Sequence, residues 1–281
     1  MSSTGGASPT HAHGRAHPTA AAQRTLARAC PLCGASGGEL ILAREPWRLI
    51  RCGGCGLAYM PEIPTEEAID TDFEWADSFA RQRYERWMRN PLARLWTFFV
   101  LFAKPSRERR ALRQIRRHVR RGRMLDVGCG DGRLGMLALR YGYDPIGVEL
   151  SPKMAAKARR RLGPERVLCG RLEDFPLAPE SFDVIVTVSY LEHEPQPLPA
   201  LRKMRGLLKP GGVCLHKTPN FDSLLRKALG ARWSGFRWPE HVQYFSPVTL
   251  SRLMQAAEYE PIETRANPLS DNFWIIARRP V

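Results

Sequence analysis

The strongest constraint on the fold comes from a short segment in the middle of the chain, "MLDVGCGDG", residues 124–132. An apolar run typical of a buried strand passes directly into three glycines at alternate positions, 128, 130 and 132. Glycine allows backbone conformations and close approaches that side chains forbid. The acid Asp126 lies inside the apolar run, where an unpaired charge is costly. This combination predicts a strand, loop and helix whose loop contacts a ligand.

From residue 124 onward, apolar runs typical of strands alternate with patterns typical of helices. The predicted strands are 124–127, 145–150, 166–170, 182–189, 213–218, 260–266 and 272–279, and the predicted helices include 133–141, 151–162, 198–208 and 246–259. Alternation at this spacing predicts an α/β fold, with helices on both faces of one sheet. We therefore expect a doubly wound, mainly parallel, seven-stranded Rossmann-like sheet.

Two acids at the ends of neighbouring predicted strands indicate the kind of ligand. Sheets of this class bind ligands beyond the carboxyl ends of their strands, and Glu149, which ends the second strand, suits a ribose. The literal dinucleotide fingerprint Gly130-x-Gly132-x-x-Gly135 starts too late, because the strand ends by Gly128. The better frame begins at Asp126, whose carboxylate suits an amino group rather than a pyrophosphate. These residues predict a nucleoside-containing cofactor with a positively charged end.

Four cysteines near the N-terminus form two close pairs. The spacing of Cys30, Cys33, Cys52 and Cys55, with two residues inside each pair, is typical of a four-thiolate zinc site. Such a site has no open coordination position, so we expect a structural Zn²⁺ rather than a catalytic one. A lobe this small has little apolar area of its own, and the metal would supply folding energy.

The chain divides into four predicted regions. These are a disordered tail (1–27), a zinc-ribbon-like segment (28–62), a helical lid or linker (63–123) and the main α/β domain (124–281). The arginine-rich segment 104–123 predicts an amphipathic helix, with Leu112, Ile115 and Val119 on its apolar face. Its basic face has two interpretations: a solvated face of the lid, or a patch that contacts an anionic membrane. The net charge of +15 likewise indicates either acidic partners or an arginine-rich composition.

The segments "LDVGCGDG", "GVELS", "FDVIVTVSYLEH", "LLKPGG" and "TPN" together resemble the class I S-adenosylmethionine-dependent methyltransferases. The resemblance covers about residues 120 to 281, and the cysteine-rich front with "HVQYFSPVTL" resembles a bacterial subgroup that methylates small molecules, sugars or glycolipid-type acceptors. It implies S-adenosyl-L-methionine as the cofactor. The implied cofactor residues are Asp126, Gly128 and Gly130 at the methionine end, Glu149 at the ribose, Leu172 and Glu173 at the adenine, and Ser189 and Tyr190 beside the transferred methyl. Asp131 and Gly132 of the same loop are further implied cofactor residues. Arg171 departs from the family, which often has Asp at that position.

Methyl transfer to an oxygen or carbon nucleophile requires the loss of a proton, so a histidine near the methyl group is a candidate base. The candidates are His193, just after the fourth strand, and His241 with Glu240, in a long insert that mixes aromatic and basic residues. We expect a small-molecule, sugar or lipid-linked acceptor.

Two other functions stay open at this point. The ribbon and the charge suggest an RNA methyltransferase, but no compact RNA-binding signature is present, so nucleic acid is not an expected partner. The other alternative is a non-catalytic membrane-surface module that keeps the cofactor fold. No secretory signal is recognisable, so we expect a cytoplasmic protein, with peripheral contact at the inner membrane surface as a variant of that expectation.

Overall fold

The structure is a computed structural model and describes residues 25–65, 106–267 and 270–281. Nearly all of the predicted tail and most of the predicted lid lie outside the described residues. No helix within the described ranges is both long and apolar enough to cross a membrane.

The described residues form strands and helices in the following chain order. The strands are β1 (Thr25–Ala27), β2 (Gly38–Arg44), β3 (Trp47–Cys52), β4 (Ala58–Tyr59), β5 (Glu62–Pro64), β6 (Gly122–Val127), β7 (Tyr143–Glu149), β8 (Val167–Cys169), β9 (Phe182–Val188), β10 (Leu208–Pro219), β11 (Gln243–Tyr244), β12 (Glu260–Ala266) and β13 (Asn272–Arg278). The helices are α1 (Arg107–Ile115), α2 (Arg133–Leu139), α3 (Pro152–Leu162), α4 (Pro197–Leu207), α5 (Leu224–Leu229) and α6 (Pro247–Ala256).

The main sheet has seven strands in the order β12-β13-β10-β9-β6-β7-β8. Strand β13 is antiparallel to both of its neighbours, and the pairs from β10 to β8 are all parallel. This confirms the predicted doubly wound, mainly parallel, Rossmann-like sheet. The chain leaves β6 toward β7 on one side and later returns to β9 on the other. The carboxyl ends of these three strands therefore open onto one crevice, where ligands of such sheets bind.

The helices begin where the sequence supplies capping residues. The hydroxyl of Ser246 accepts a hydrogen bond from the amide of Thr249 at 3.1 Å, and Pro247 occupies the first turn of α6. Ser151 caps α3 in the same way. The prediction of a helix over 104–123 is wrong in extent, because α1 ends at Ile115. The chain then turns toward the sheet, and the carbonyl of Val119 accepts a hydrogen bond from the Tyr143 hydroxyl.

Alternate residues of the central strand pack on opposite faces of the sheet. Met124 joins a core that includes Leu112 and Ile115 of α1, whereas Leu125 joins a second core that includes Met204 of α4 and Leu253 of α6. Burial on both faces explains why the strands read as continuous apolar runs.

The cysteine-rich segment and the insert between β10 and α6 form one sheet, with the strand order β11-β4-β3-β2. Tyr59 of β4 lies opposite Gln243 of β11 on one side and Ile50 of β3 on the other. A third core joins the two segments and includes Leu49, Ala58 and the insert residue Trp233. This arrangement brings the insert, with His241, against the cysteine-rich segment.

Candidate functional site

The loop after β6 has the backbone conformation that its glycines predict. Gly128, Gly130 and Gly132 have φ angles of 74°, 57° and 78°, in the left-handed region. A side chain at Gly128 would lie 3.3 Å from the ring of Tyr190, and one at Gly132 would lie 3.1 Å from the backbone of Ala158 in α3. The first glycine therefore keeps space beside Tyr190, and the last one allows α3 to pack closely against the loop.

The two acids of the predicted cofactor site lie on adjacent strands, at the edge where the glycine loop begins. Asp126 is 3% exposed, and its burial together with the charge of Glu149 raises the pKa of Asp126 to about 7. The Glu149 carboxylate accepts hydrogen bonds from the amides of Gly130 (2.7 Å) and Ser151 (2.9 Å). Burial raises the pKa of Glu149 despite these bonds. Glu149 thus holds the glycine loop at the carboxyl end of β7.

The remaining predicted cofactor residues differ in their surroundings. Asp131 forms ion pairs with Arg133 (3.0 Å) and Arg161 (2.7 Å), so its charge is already balanced by the protein. Leu172 is buried in the core, whereas Glu173 is exposed. Asp126 and Glu149 differ from Asp131 in this respect. Among the described ion pairs, neither of these two acids has an arginine within 4 Å.

The end of β9 carries a strained residue and a short hydrogen bond. Ser189 has a φ of 59°, which is unusual for a residue with a side chain, and its hydroxyl accepts a hydrogen bond from Lys217 of β10 at 2.9 Å. The hydroxyl of Tyr190 donates to Glu194 at 2.6 Å. Burial raises the pKa of Tyr190, with the nearby charge of Glu194 acting in the same direction.

The two candidate catalytic histidines, 48 positions apart in the sequence, lie together in the structure. The ring centroids of His193 and His241 are 4.6 Å apart, with the planes nearly perpendicular. Nδ1 of His193 lies 3.0 Å from the carbonyl oxygen of Glu240, and Nδ1 of His241 lies 2.9 Å from that of Gly235. Burial lowers the pKa of His193 to about 3 and that of His241 well below its usual value. Both rings are therefore neutral near pH 7.

The segment "SYLEHEP" predicts a role for His193, and the structure adds its neighbour Glu192, which is not among the predicted residues. Glu192 is 1% exposed, and its Oε2 accepts a hydrogen bond from Thr218 at 3.0 Å. A carboxylate atom of Glu192 and one nitrogen from each of the two histidines all lie within 4.8 Å of one another. A glutamate immediately before a histidine, three residues after the predicted strand 182–189, is the available sequence signal.

A cavity of about 650 Å³ opens at Glu240, whose carbonyl contacts His193, although neither histidine lines it. It lies between the turn that joins β2 to β3 and the insert, and the side chains around it are mainly aromatic and cationic. The lining residues are Arg44, Glu45, Trp47, Leu229, Arg232, Trp233, Ser234, Phe236, Arg237, Trp238 and Glu240. Of the predicted catalytic residues, the cavity thus reaches Glu240, and none of the predicted cofactor residues lines it. Its chemistry suits a ligand with an apolar ring or chain and an anionic group.

The four cysteines predicted to bind zinc come together. Their sulfur atoms all lie within 4.8 Å of one another, and the Cys30–Cys55 and Cys33–Cys52 pairs are both 3.5 Å apart. The two sequence pairs, Cys30 with Cys33 and Cys52 with Cys55, have the same backbone turn. In each turn the amide of the following glycine, Gly34 or Gly56, donates to the carbonyl of the first cysteine. Zn–S bonds of about 2.3 Å in a tetrahedron place sulfurs about 3.8 Å apart, so the arrangement fits zinc.

Comparison with known sequences identifies a family for this chain. Residues 79–264 match the family described as "Methyltransferase domain". The chain is 32% identical over 162 residues to a ubiquinone biosynthesis O-methyltransferase of Cereibacter sphaeroides, covering 53% of this chain and 65% of that one, so part of that relative lies outside the match. It is 30% identical over 167 residues to the protein of the same name from Xanthomonas campestris, covering 51% of this chain and 69% of that one.

Comparison with solved structures supports the fold. An S-adenosylmethionine-dependent methyltransferase from Thermotoga maritima superposes with a TM-score of 0.53 at 24% identity, covering 72% of this chain and 98% of that one. The 1,6-didemethyltoxoflavin-N1-methyltransferase of Burkholderia thailandensis, solved with 1,6-didemethyltoxoflavin and S-adenosylhomocysteine, superposes with a TM-score of 0.51 at 17% identity, covering 87% and 100%.

Proposed function

The chain belongs to the methyltransferase-domain family and is a class I S-adenosylmethionine-dependent methyltransferase, and from this premise we propose that it is an O-methyltransferase of a small-molecule, sugar or lipid-linked acceptor. The oxygen specificity is suggested by relatives that are named O-methyltransferases. The observation that carries the proposal is the meeting of the glycine loop, its two acids and the histidine pair at one edge of the sheet.

The residues around the loop fit the cofactor. The loop carries no side chain at positions 128, 130 and 132, which allows a ligand to approach its backbone closely. In our proposal Asp126 holds the amino group of S-adenosylmethionine and Glu149 holds its ribose hydroxyls, while Leu172 and Glu173 lie at the adenine and Ser189 and Tyr190 lie beside the methyl. When bound, the sulfonium supplies an activated methyl group.

The part played by the protein is then to orient the acceptor and to remove its proton. Methyl transfer is an in-line displacement, so much of the acceleration comes from holding the acceptor oxygen behind the methyl carbon. The neutral rings of His193 and His241 each offer a lone pair to the acceptor hydroxyl. Glu240 faces the cavity that we assign to the body of the acceptor.

The acceptor cavity suggests a chemical class of substrate. Trp47, Phe236 and Trp238 provide aromatic faces, while Arg44 and Arg237 provide positive charge. A ring or lipid chain that carries a carboxylate or phosphate satisfies both features.

We assign the four-cysteine site to a structural Zn²⁺, within the ribbon-like segment 28–62. Its position beside the insert suggests that the metal stabilises the frame of the acceptor site rather than the reaction itself. We propose that residues 124–281 form the methyl-transfer unit, with segment 63–123 as the lid or linker.

Isothermal titration of the zinc-loaded chain with S-adenosylmethionine and S-adenosylhomocysteine tests the cofactor assignment, and we expect both to bind. Incubation with labelled S-adenosylmethionine and a cell extract then tests the acceptor class, and we expect label in a small-molecule or lipid fraction, on an oxygen. Failure of the folded chain to bind either nucleoside, or label on carbon or RNA only, would overturn the proposal.

A further inference from the structure

A lysine lies near the carboxyl end of the inner strand β10, outside the predicted cofactor and catalytic residues. Lys217 follows the buried residues 213–216 and is the charged residue of this stretch of the strand. It lies opposite Val188 of β9 on one side and Trp274 of β13 on the other. Lysine is rarely found inside a protein without a partner for its charge. The contacts of Lys217 therefore indicate what its side chain does.

The side chain and the backbone of Lys217 both bind Ser189, which follows β9. The ammonium donates a hydrogen bond to the Ser189 hydroxyl at 2.9 Å, and the Lys217 carbonyl accepts one from the Ser189 amide at 2.8 Å. Ser189 has a φ of 59°, a left-handed conformation that a residue with a Cβ rarely adopts. Such a conformation persists only where the surrounding contacts hold it in place. The two bonds to Lys217 are contacts of this kind.

The conformation of Ser189 sets the direction of the loop that follows β9. The ring of the next residue, Tyr190, lies 3.3 Å from the position that a side chain at Gly128 would take. The carbonyl of Tyr190 accepts a hydrogen bond from the His193 amide at 2.9 Å, so the two residues form one turn. Lys217 is thus connected, through Ser189, to the glycine loop and to the turn that carries His193.

A buried acid of the same loop supports the charge of Lys217. Burial lowers the pKa of Lys217 to about 8, and the carboxylate of Glu192 acts in the opposite direction. Arg107 and Arg237 also lie within electrostatic range, and they favour the neutral amine. Because the pKa of about 8 is above neutral pH, most of the Lys217 side chains carry the ammonium at pH 7.

We propose that Lys217 is a positioning residue for methyl transfer, whose ammonium fixes the left-handed conformation of Ser189 and thereby holds Tyr190 against the glycine loop. The inference rests on the proposed function, in which Ser189 and Tyr190 lie beside the transferred methyl. Lys217 acts through Ser189 and takes no part in the chemical step. Loss of the ammonium releases the loop after β9, so the cofactor pocket is no longer formed in advance of binding.

The test is calorimetric titration of the full zinc-loaded chain with S-adenosylmethionine and, separately, with S-adenosylhomocysteine. We expect Lys217→Met to weaken the binding of both ligands by about tenfold. Positioning acts on the shape of the pocket, so the two ligands should lose affinity equally, although only the first carries a positive sulfonium. Lys217→Arg keeps a charged donor and should restore most of the affinity. A loss confined to one ligand would show a direct effect of charge and overturn the inference.

A double-mutant cycle tests whether Lys217 acts through Ser189. Ser189→Gly removes the hydroxyl and adopts the left-handed conformation without strain. In the Ser189→Gly background, we expect Lys217→Met to change the affinity for either ligand by less than about twofold. The matched control is Lys209→Met, which removes the ion pair of another β10 lysine with Asp183 (2.8 Å) at the opposite end of the strand and should leave the affinity unchanged. Additive losses in the cycle, or equal losses in the two lysine variants, overturn the inference.

Hydrogen exchange provides a measurement that needs no ligand. We expect faster exchange across residues 189–194 in Lys217→Met, because the loop loses the contact that holds Ser189, and unchanged exchange there in Lys209→Met. Wild-type protein that binds neither nucleoside would overturn the proposed function, whereas the exchange of the loop still decides whether Lys217 holds it. Circular dichroism checks folding, and unchanged exchange across 189–194 in folded Lys217→Met overturns the inference.

Discussion

The guanidinium of Arg28 donates a hydrogen bond to the carbonyl oxygen of Pro195, 2.8 Å away, in the loop that follows β9. The same side chain donates to the carbonyls of Met60, in the cysteine-rich segment, and of Val242, in the insert. Burial lowers the pKa of Arg28 to about 10, so the group stays charged at neutral pH. One residue near the start of the described chain therefore joins three segments around the histidine pair.

The first prediction concerns this residue. Arg28→Met keeps the apolar stem and removes all three hydrogen bonds, which leaves three carbonyls without their charged donor. We expect a loss of about 2–4 kcal/mol in the free energy of unfolding, measured by denaturant titration. We also expect weaker methyl transfer with cofactor affinity unchanged, because Asp126 and Glu149 lie elsewhere. The control Arg48→Met removes an exposed ion pair with Glu62 and is expected to cost less than about 1 kcal/mol. Equal losses in both variants would contradict this interpretation.

The second prediction concerns the cysteine cluster. Cys52→Ser, or treatment with a strong chelator, is expected to release about one zinc ion per chain and to loosen the sheet that β4 and β11 share. Hydrogen exchange at Tyr59 and Gln243, which lie opposite each other in that sheet, measures the loosening. Cys169→Ser, outside the cluster, serves as the control and should retain both zinc and protection. Unchanged protection in zinc-free protein would show that the metal does not support the insert.

The third prediction is a pH dependence. Burial raises the pKa of Asp126 from about 3.9 in the unfolded chain to about 7 in the folded one. The folded state therefore keeps this proton up to a higher pH than the unfolded state does. Protonated Asp126 therefore stabilises the folded state. This stabilisation is fully present below about pH 4 and is lost as the pH rises through about 7. We assign cofactor binding to the ionised carboxylate of Asp126. The affinity for the cofactor should therefore increase as the pH rises.

We expect affinity for S-adenosylmethionine to rise about tenfold between pH 6 and pH 8, as measured by calorimetry. Asp126→Asn removes the titrating group and should bind weakly, with a flat profile over this range. A wild-type profile as flat as that of the variant would refute the role of Asp126.

The fourth prediction compares two glycines. Gly132 has a φ of 78°, and an added Cβ would meet the Ala158 backbone at 3.1 Å, so Gly132→Ala should destabilise the fold by about 1–3 kcal/mol. Gly206 lies in α4, where an added Cβ would have nothing within 4 Å, so Gly206→Ala should stabilise the protein by about 0.5–1 kcal/mol. Thermal unfolding measures both, and effects of the same sign would be inconsistent with this account of the loop.

The sequence alone determined the architecture of the main sheet and the glycine loop with its two acids, Asp126 and Glu149. Met124 to Val127 read as a strand buried on both faces, and the glycines after them required a left-handed loop, because these are local properties of the chain. The zinc-binding pattern of the two cysteine pairs is also visible in the sequence, because the spacing of two residues within each pair is a local property. The predicted helix over 104–123 is too long. Its amphipathic pattern contains no information about the turn by which the chain brings Val119 to Tyr143.

Only the tertiary structure decided how the histidine pair and the residues around it are assembled. His193 and His241 were both recognised as candidates, but their 4.6 Å contact depends on β11 pairing with β4, a long-range contact that no local pattern encodes. The role of Glu192 as a buried partner of Thr218 follows from the tertiary structure. Local propensity and spacing specify strands, turns and cysteine pairs, whereas the partner of a buried polar group depends on which distant segments the folded core brings together.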